Sequence, residues 1–171
     1  MKISTRRSRL TERPLQLPFR YLILCAALLS CGDRSFLTDL ESPDTATRTR
    51  AIEFLGSQGD REAIPQLIHA LKDSVVEVRS KASWALGMLR AKEAAEPVSL
   101  LLSDATPRVR QSASRALLQI EEPDALPALR KAFSQEADEW VRRDMEEAIN
   151  HLVQFEGEVD IGEAGIRGNW F

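Results

Sequence analysis

The sequence predicts an all-α fold, a right-handed α-solenoid of about four helical hairpins, because three rows of residues recur at one period. One apolar row repeats every 31 residues, and an arginine row and a row of mostly small residues follow it with spacings of 31, 31 and 32. Such a period is typical of solenoids, in which one unit buries its apolar face only by stacking on copies of itself. The rows are Leu40, Leu71, Leu102 and Phe133; Arg48, Arg79, Arg110 and Arg142; and Ala51, Ala82, Ala113 and Met145.

Each period is predicted to form a helix, a short turn and a second helix. Apolar residues between positions 64 and 71 fall on one helical face, and a second apolar stripe runs through positions 78 to 89. Between them, residues 72–74 supply a polar turn that can accept free N–H groups at the start of the second helix. Pro65, Pro97 and Pro127 stand in the first turn of the first helices, where a missing N–H is tolerated.

This pattern resembles the HEAT repeat, in the short variety also found in phycobilisome lyase subunits, over nearly all of residues 35–154. The last copy departs by one inserted turn residue and by Met145, and a degenerate leading unit begins near Ser35. The resemblance implies a concave surface lined by the second helices. It also implies a structural ladder of turn aspartates and arginines, Asp73 with Arg79 and Asp104 with Arg110, although a ladder that reads an anionic ligand is the alternative. The clearest copy is Ile64-Pro65-Gln66-Leu67, Leu71-Lys72-Asp73, Val78-Arg79, Ala82 and Leu86-Gly87.

The first thirty residues predict a secretory signal of the lipoprotein type. Six basic side chains and one acid precede or adjoin an apolar run over residues 21–29. As a helix this run spans about 15 Å, half of the ~30 Å membrane core. It ends Leu28-Leu29-Ser30-Cys31, which resembles the bacterial lipobox and makes Cys31 the lipidated residue, whereas Leu24 is too large to precede a modified Cys25. An uncleaved anchor with an inert cysteine is the alternative.

The predicted organisation is a signal peptide (1–30), a lipidated tether (31–34), the solenoid (35–154) and a flexible, glycine-rich acidic tail (155–171). Residues 31–171 carry 17 basic and 25 acidic side chains, a net charge of −8 with the two signs interleaved. This balance disfavours nucleic-acid binding, which needs a basic stripe. Cys31 is the only cysteine of that part, so the solenoid must depend on packing and not on disulfides.

Trp84 is the strongest candidate for binding a partner, because it lies off the apolar stripe at a position where other units carry Glu53, Arg115 and Glu147. Aromatic and arginine side chains are the usual energetic anchors of interfaces. A second interpretation is that Trp84 and Trp140 only cover grooves between repeats. The predicted protein-binding residues are Ser80, Trp84, Gln111, Arg115, Trp140 and Arg143.

No catalytic residue, metal site or cofactor is predicted. The only histidines, His69 and His151, lie on different units, whereas a metal site needs converging ligands and a nucleophile needs an adjacent base. The tail ends Gly168-Asn169-Trp170-Phe171, and it is expected to cap the last repeat, to be disordered or to act as a short linear motif.

The expected function is that of a non-enzymatic scaffold in the bacterial cell envelope, exported, lipid-anchored and facing the periplasm, that binds another protein through its concave helices. Two alternatives stay open. One is a subunit assisting an enzyme, as phycobilisome lyase subunits do in tetrapyrrole attachment, although those relatives handle cytoplasmic pigment proteins. The other is a purely structural spacer.

Overall fold

The computed structural model describes the backbone of residues 36–159 and the side chains of residues 36–154. This part of the chain is helical and contains no strand, so the all-α prediction is confirmed. The predicted signal peptide, Cys31 and residues 160–171 of the tail lie outside the described residues. After a helical stretch at residues 36–39, the helices are Thr45–Gln58 (α1), Ile64–Ala70 (α2), Val76–Met88 (α3), Ala95–Leu100 (α4), Pro107–Ile120 (α5), Leu126–Gln135 (α6) and Glu139–Val159 (α7).

The helices pair into four stacked units. Unit 1 comprises residues 36–58, unit 2 residues 61–88, unit 3 residues 92–120 and unit 4 residues 123–159. The second helices α1, α3, α5 and α7 pack on one another in sequence and form one layer. The first helices form the other layer, and in units 2 to 4 each begins with a three-residue 3₁₀ turn: Arg61–Ala63, Lys92–Ala94 and Pro123–Ala125.

The core between the two layers includes the predicted apolar row and the predicted row of mostly small residues. Leu40, Leu71 and Leu102 are buried, and Phe133 at the end of the array is partly buried. The row of Ala51, Ala82, Ala113 and Met145 is at most 1% exposed. These residues belong to one continuous apolar cluster, which is how a repeat array obtains the core that no single unit could form. The other fully buried large side chains include Leu67, Leu86, Leu117, Leu129 and Leu152.

The turns between the two helices of a unit differ from the prediction in one detail. Asp73 does not cap the first turn of α3: its Oδ1 accepts a hydrogen bond from the N–H of Val75, two residues on, at 2.8 Å. In unit 4, Asp138 does cap α7, accepting from the N–H groups of Trp140 and Val141. Asp73 therefore orders the turn, because its backbone lies too far before the helix for its side chain to reach the free amides.

Neighbouring second helices pack tightly against two glycines that lie 31 residues apart. A Cβ on Gly56 would lie 2.8 Å from the Ala85 Cβ, and a Cβ on Gly87 would lie 2.9 Å from the Ala116 Cα. Such distances are shorter than carbon atoms tolerate, so the absence of a side chain is what permits this helix spacing.

At each end of the array, one position of these helix contacts carries a different residue from the one found in the inner units. Phe54 stands where Ala85 and Ala116 stand in units 2 and 3, and its ring stacks on Phe36 with centroids 4.0 Å apart. At the other end, Asn150 stands where Gly87 stands in unit 2, and it is exposed. Helix α7 continues to Val159, five residues past the predicted boundary at 154, and includes Gly157, since a single glycine costs a helix only about 1 kcal/mol.

Candidate protein-binding face

The arginine row forms a ladder along the edge where the turns lie. Arg79 Nη1 donates to the carbonyls of Asp73 (2.8 Å) and Ser74 (3.1 Å) in its own unit. Its Nε and Nη2 donate to both carboxylate oxygens of Asp104 in the next unit, at 2.9 and 3.2 Å. The predicted ladder is therefore present, but each carboxylate binds the arginine of the preceding unit and not the arginine that follows it in sequence.

The same arrangement occurs on both sides of Arg79 and stops at the last unit. Arg48 Nε lies 2.9 Å from Asp73 Oδ2, and Arg110 donates to both oxygens of Glu136 at 2.6 and 2.8 Å. Arg142 has no carboxylate partner among the described side chains and lies over the Phe133 ring, 5.0 Å from its centroid. Three paired, mostly buried arginines act as structural links between units.

These pairs shift the pKa values of the ladder carboxylates. Hydrogen bonds from Arg110 hold the pKa of Glu136 below its ordinary range, against the opposing effect of burial. Burial raises the pKa of Asp104, but hydrogen bonds from Arg79 and from the Thr106 N–H outweigh it, so that pKa is also lowered. Both groups are therefore more firmly ionised in the folded protein than in the unfolded chain.

The exposed side of the second-helix layer forms a continuous surface, here termed the second-helix face. Its positions recur from one helix to the next at the repeat period, so each helix contributes one stripe. The stripes are Glu53 and Ser57 on α1; Glu77, Lys81, Trp84 and Met88 on α3; Arg108, Ser112, Arg115 and Gln119 on α5; and Trp140, Asp144, Glu147 and His151 on α7.

Trp84 and Met88 form an apolar patch in the last two turns of α3. Their side chains are 38% and 49% exposed, and a spacing of four residues places them side by side on the helix. The ring edge of Trp84 also lies against α1, 3.2 Å from the point that a Gly56 Cβ would occupy. Trp84 thus covers part of a groove between units and still presents apolar surface to solvent.

Charged side chains around this patch are mostly paired across neighbouring helices. Lys81 binds Glu53 on one side of Trp84. Arg115 Nε lies 2.7 Å from Asp144 Oδ2. Trp140 is 70% exposed and stands at the position of Glu77 and Arg108, so it lies at the far corner of the same face, away from the Trp84–Met88 patch.

Ser80, Gln111 and Arg143 share one repeat position, and this position faces the next helix of the stack. Ser80 is 6% exposed, and its hydroxyl is 2.7 Å from the Ser112 hydroxyl, so it is unavailable to a partner. Gln111 is partly buried, and Arg143 is exposed because no described helix follows α7. Along this row the side chains become larger and more polar, from Ser80 to Gln111 to Arg143. This trend is the sequence signal that could have separated these three residues from Trp84.

The described residues also bear on the requirements of a metal site and of a membrane span. Among the side chains of residues 36–154, no three from His, Cys, Asp or Glu converge as a metal site would require. His151 Nε2 lies 3.5 Å from Glu121 Oε1, and His69 is on another unit. None of the helices described is long and apolar enough to cross a membrane.

The repeat geometry agrees with a comparison of the sequence with known families. The family model for HEAT repeats matches residues 35–99 and 76–150. This chain belongs to the HEAT repeat family. No curated protein matches the HEAT chain at a significant level.

Solved structures with the same fold include natural and engineered proteins. The complex of CpcE and CpcF of phycocyanin lyase from Nostoc sp. PCC7120 matches with a TM-score of 0.65 and 23% identity over 92% of the HEAT chain and 73% of that chain. Human deoxyhypusine hydroxylase matches with a TM-score of 0.63 and 22% identity, over 86% of this chain and 51% of that chain. An engineered protein matches with a TM-score of 0.58 and 20% identity, over 77% of this chain and 68% of that chain. At these identities the likeness establishes the HEAT fold.

Proposed function

We propose that the chain is a non-enzymatic HEAT repeat scaffold, anchored to a membrane of the bacterial cell envelope, that binds another protein through its second-helix face. The observation that carries the proposal is the exposed pair Trp84 and Met88, on a face whose other positions are mostly polar or charged. The interpretation that Trp84 only covers a groove between repeats accounts for the position of its ring edge near Gly56. It does not account for Met88, which is exposed beside it.

The dimensions of the face favour a small partner element. Four helices packed 8–10 Å apart span roughly 30 Å, enough for one helix or loop but not for wrapping a large domain. The paired charges Lys81–Glu53 and Arg115–Asp144 surround the apolar centre. An apolar centre with a polar rim is the usual arrangement of a modest protein interface.

The structural relatives support a protein partner. CpcE and CpcF, whose structure is similar to this chain, are found in complex with one another. Because the chain is similar in structure to CpcE and CpcF of phycocyanin lyase, a subunit that assists an enzyme is the second candidate function. A spacer would need no partner and would leave the Trp84–Met88 patch without a role.

The anchoring part of the proposal comes from residues 1–31, whose basic segment, short apolar run and lipobox-like end are typical of lipoproteins. Replacing Cys31 tests it directly. Cys31→Ser should abolish incorporation of labelled palmitate and release the chain from membranes. Unchanged membrane attachment of this variant would contradict the lipid anchor.

The binding part is tested by crosslinking and pull-down from intact membranes. The native chain is compared with Trp84→Ala and with Leu100→Ala, a control whose side chain is 69% exposed on α4, in the layer of first helices. A partner that is lost from Trp84→Ala and retained by Leu100→Ala, at equal thermal stability, would support the second-helix face as the binding surface. A partner retained by both variants would overturn that assignment, and no partner at all would favour the spacer.

A further inference from the structure

The last arginine of the ladder differs from the three that precede it. In the first three units the ladder arginine is mostly buried, its Nη1 donates to carbonyls of its own turn, and it binds a carboxylate of the next unit. Arg142 is exposed and makes neither contact with the described residues. Its guanidinium lies over the Phe133 ring, 5.0 Å from the centroid. Stacking on a ring occupies the face of a guanidinium and leaves the N–H groups at its edge available to a ligand.

The outer side of α7 is built as the end of the array and not as a surface for a further unit. On α3, Ser80 and Gly87 lie on the side that packs against α5. The corresponding positions of α7 carry larger polar residues, Arg143 and Asn150, and both are exposed. A terminal repeat with a polar outer side ends a solenoid. We therefore do not expect the carboxylate for Arg142 to come from another HEAT unit stacked on α7.

A second copy of the chain would not provide this carboxylate either. The acid of each link belongs to the turn of the following unit, as Asp73 does for Arg48. Ser42 stands 31 residues before Asp73, so the first unit carries no acid at this position. Head-to-tail stacking of two copies would bring a serine, and not a carboxylate, to Arg142. A different protein is the source that remains.

Arg142 lies in an open groove of about 510 Å³ beside two aromatic rings. Trp140 is 70% exposed, and Phe133 is partly buried. The groove also contains two acids, but neither forms an ion pair with an arginine in the structure, and pairs between neighbours on one exposed helix are weak. This groove is here termed the end groove, and its lining residues are Phe133, Glu139, Trp140, Arg142, Arg143 and Glu146.

We propose that the end groove binds an acidic side chain of another protein, with the carboxylate on Arg142 and an adjoining apolar side chain against Trp140. The inner units show the chemistry: Arg110 donates to both oxygens of Glu136, and the planar guanidinium matches a carboxylate in this way. Arg143 adds a second positive charge to the groove, and the exposed indole favours an apolar neighbour. The inference goes beyond the proposed function, because it concerns the end of the array and not the Trp84–Met88 patch.

Titration of the isotope-labelled full chain with small probes tests the site by nuclear magnetic resonance. Two signals are followed, the Nε–H of Arg142 and the indole N–H of Trp140. The probes are the blocked dipeptides N-acetyl-Glu-Leu-amide and N-acetyl-Leu-Glu-amide, and their glutamine counterparts are the matched controls. We expect an acidic dipeptide to shift both signals saturably, with a dissociation constant in the millimolar range, and to bind several-fold more tightly than its glutamine counterpart.

Two variants and a control assign the binding to the guanidinium, with the Trp140 signal as the readout. Arg142→Gln should weaken binding of the acidic dipeptide several-fold. Arg142→Lys should weaken it as well, because an ammonium group cannot match both carboxylate oxygens. Arg108→Gln, at an exposed arginine near the start of α5, should leave the affinity unchanged. Thermal unfolding of each variant verifies that the solenoid is intact.

Several results would overturn the proposal. They are the absence of a saturable shift with either acidic dipeptide, equal affinity for the acidic and glutamine dipeptides, and unchanged affinity in Arg142→Gln. Inorganic phosphate that binds more tightly than both acidic dipeptides would also overturn it, because the groove would then be a general anion site. Failure here would leave the second-helix face standing, because that proposal is tested by the pull-down of Trp84→Ala.

Discussion

The guanidinium of Arg79 binds the carboxylate of Asp104, which lies 25 residues later in the next unit, through two hydrogen bonds. The two side chains are 15% and 10% exposed, so the pair is largely shielded from water. Arg79 also holds the carbonyl of Asp73 in its own turn. One side chain thus joins the turns of two units, and the equivalent links of Arg48 and Arg110 extend this connection along the array.

Removing a ladder arginine should destabilise the array strongly. Arg79→Ala leaves the carboxylate of Asp104 without its partner in a partly buried site, and we expect a loss of about 2 to 4 kcal/mol in the free energy of unfolding. Urea denaturation followed by circular dichroism measures it. Arg142→Ala is the matched control, because Arg142 occupies the same position without a described carboxylate partner; a comparable loss in both variants would contradict the ladder's structural role.

Acid should destabilise the array through the same carboxylates. The pKa values of Asp104 and Glu136 are lower in the folded protein, so their contribution to stability is present above their unfolded pKa values, about 4. It is lost as the pH falls through the folded values. Urea midpoints measured between pH 7 and pH 2.5 should therefore decrease below about pH 4. Asp104→Asn should begin from a lower midpoint and show a shallower decrease; parallel curves would assign the acid sensitivity to other groups.

Truncating a core leucine tests whether the units share one core. Leu86 is 0% exposed, and Leu86→Ala should reduce the free energy of unfolding by about 2 to 5 kcal/mol. Because each unit contacts only its neighbours, hydrogen exchange should accelerate in units 1 and 3 as well as in unit 2. Trp84→Ala, on the exposed side of the same helix, should cost less. An unchanged thermal midpoint for Leu86→Ala would defeat this packing model.

Adding one methyl group at a helix crossing should also destabilise the array. Gly87→Ala would place a Cβ 2.9 Å from the Ala116 Cα, and such overpacking costs about 1 to 3 kcal/mol. That exceeds the gain in helix propensity, which is about 1 kcal/mol. Calorimetry should therefore show a lower Tm. Ser57→Ala, at an exposed position of α1, serves as the control, and a Tm raised equally by both substitutions would show that the helices can separate without cost.

The sequence predicts the exposure of some residues of the candidate face but not of others. Trp84 was identified because it broke the polar character of its row, and it is exposed as that departure suggested. Ser80 and Gln111 were grouped with it by helical spacing, yet Ser80 is buried against Ser112. Spacing along one helix shows which residues are neighbours, but it does not show which side the next helix covers.

The sequence by itself determined the repeat period, the helical hairpins, the buried rows and the ladder positions. The reason is that the same local pattern occurs four times along the chain, and each copy must bury the same stripe. Only the tertiary structure decided that Asp104 binds Arg79 and not Arg110, that Gly56 and Gly87 mark the helix crossings, and that Ser80 lies between helices. Each of these depends on a contact with a residue about 25 to 32 positions away in a neighbouring unit. Such contacts are set by how one unit is placed on the next, and local periodicity does not contain that placement.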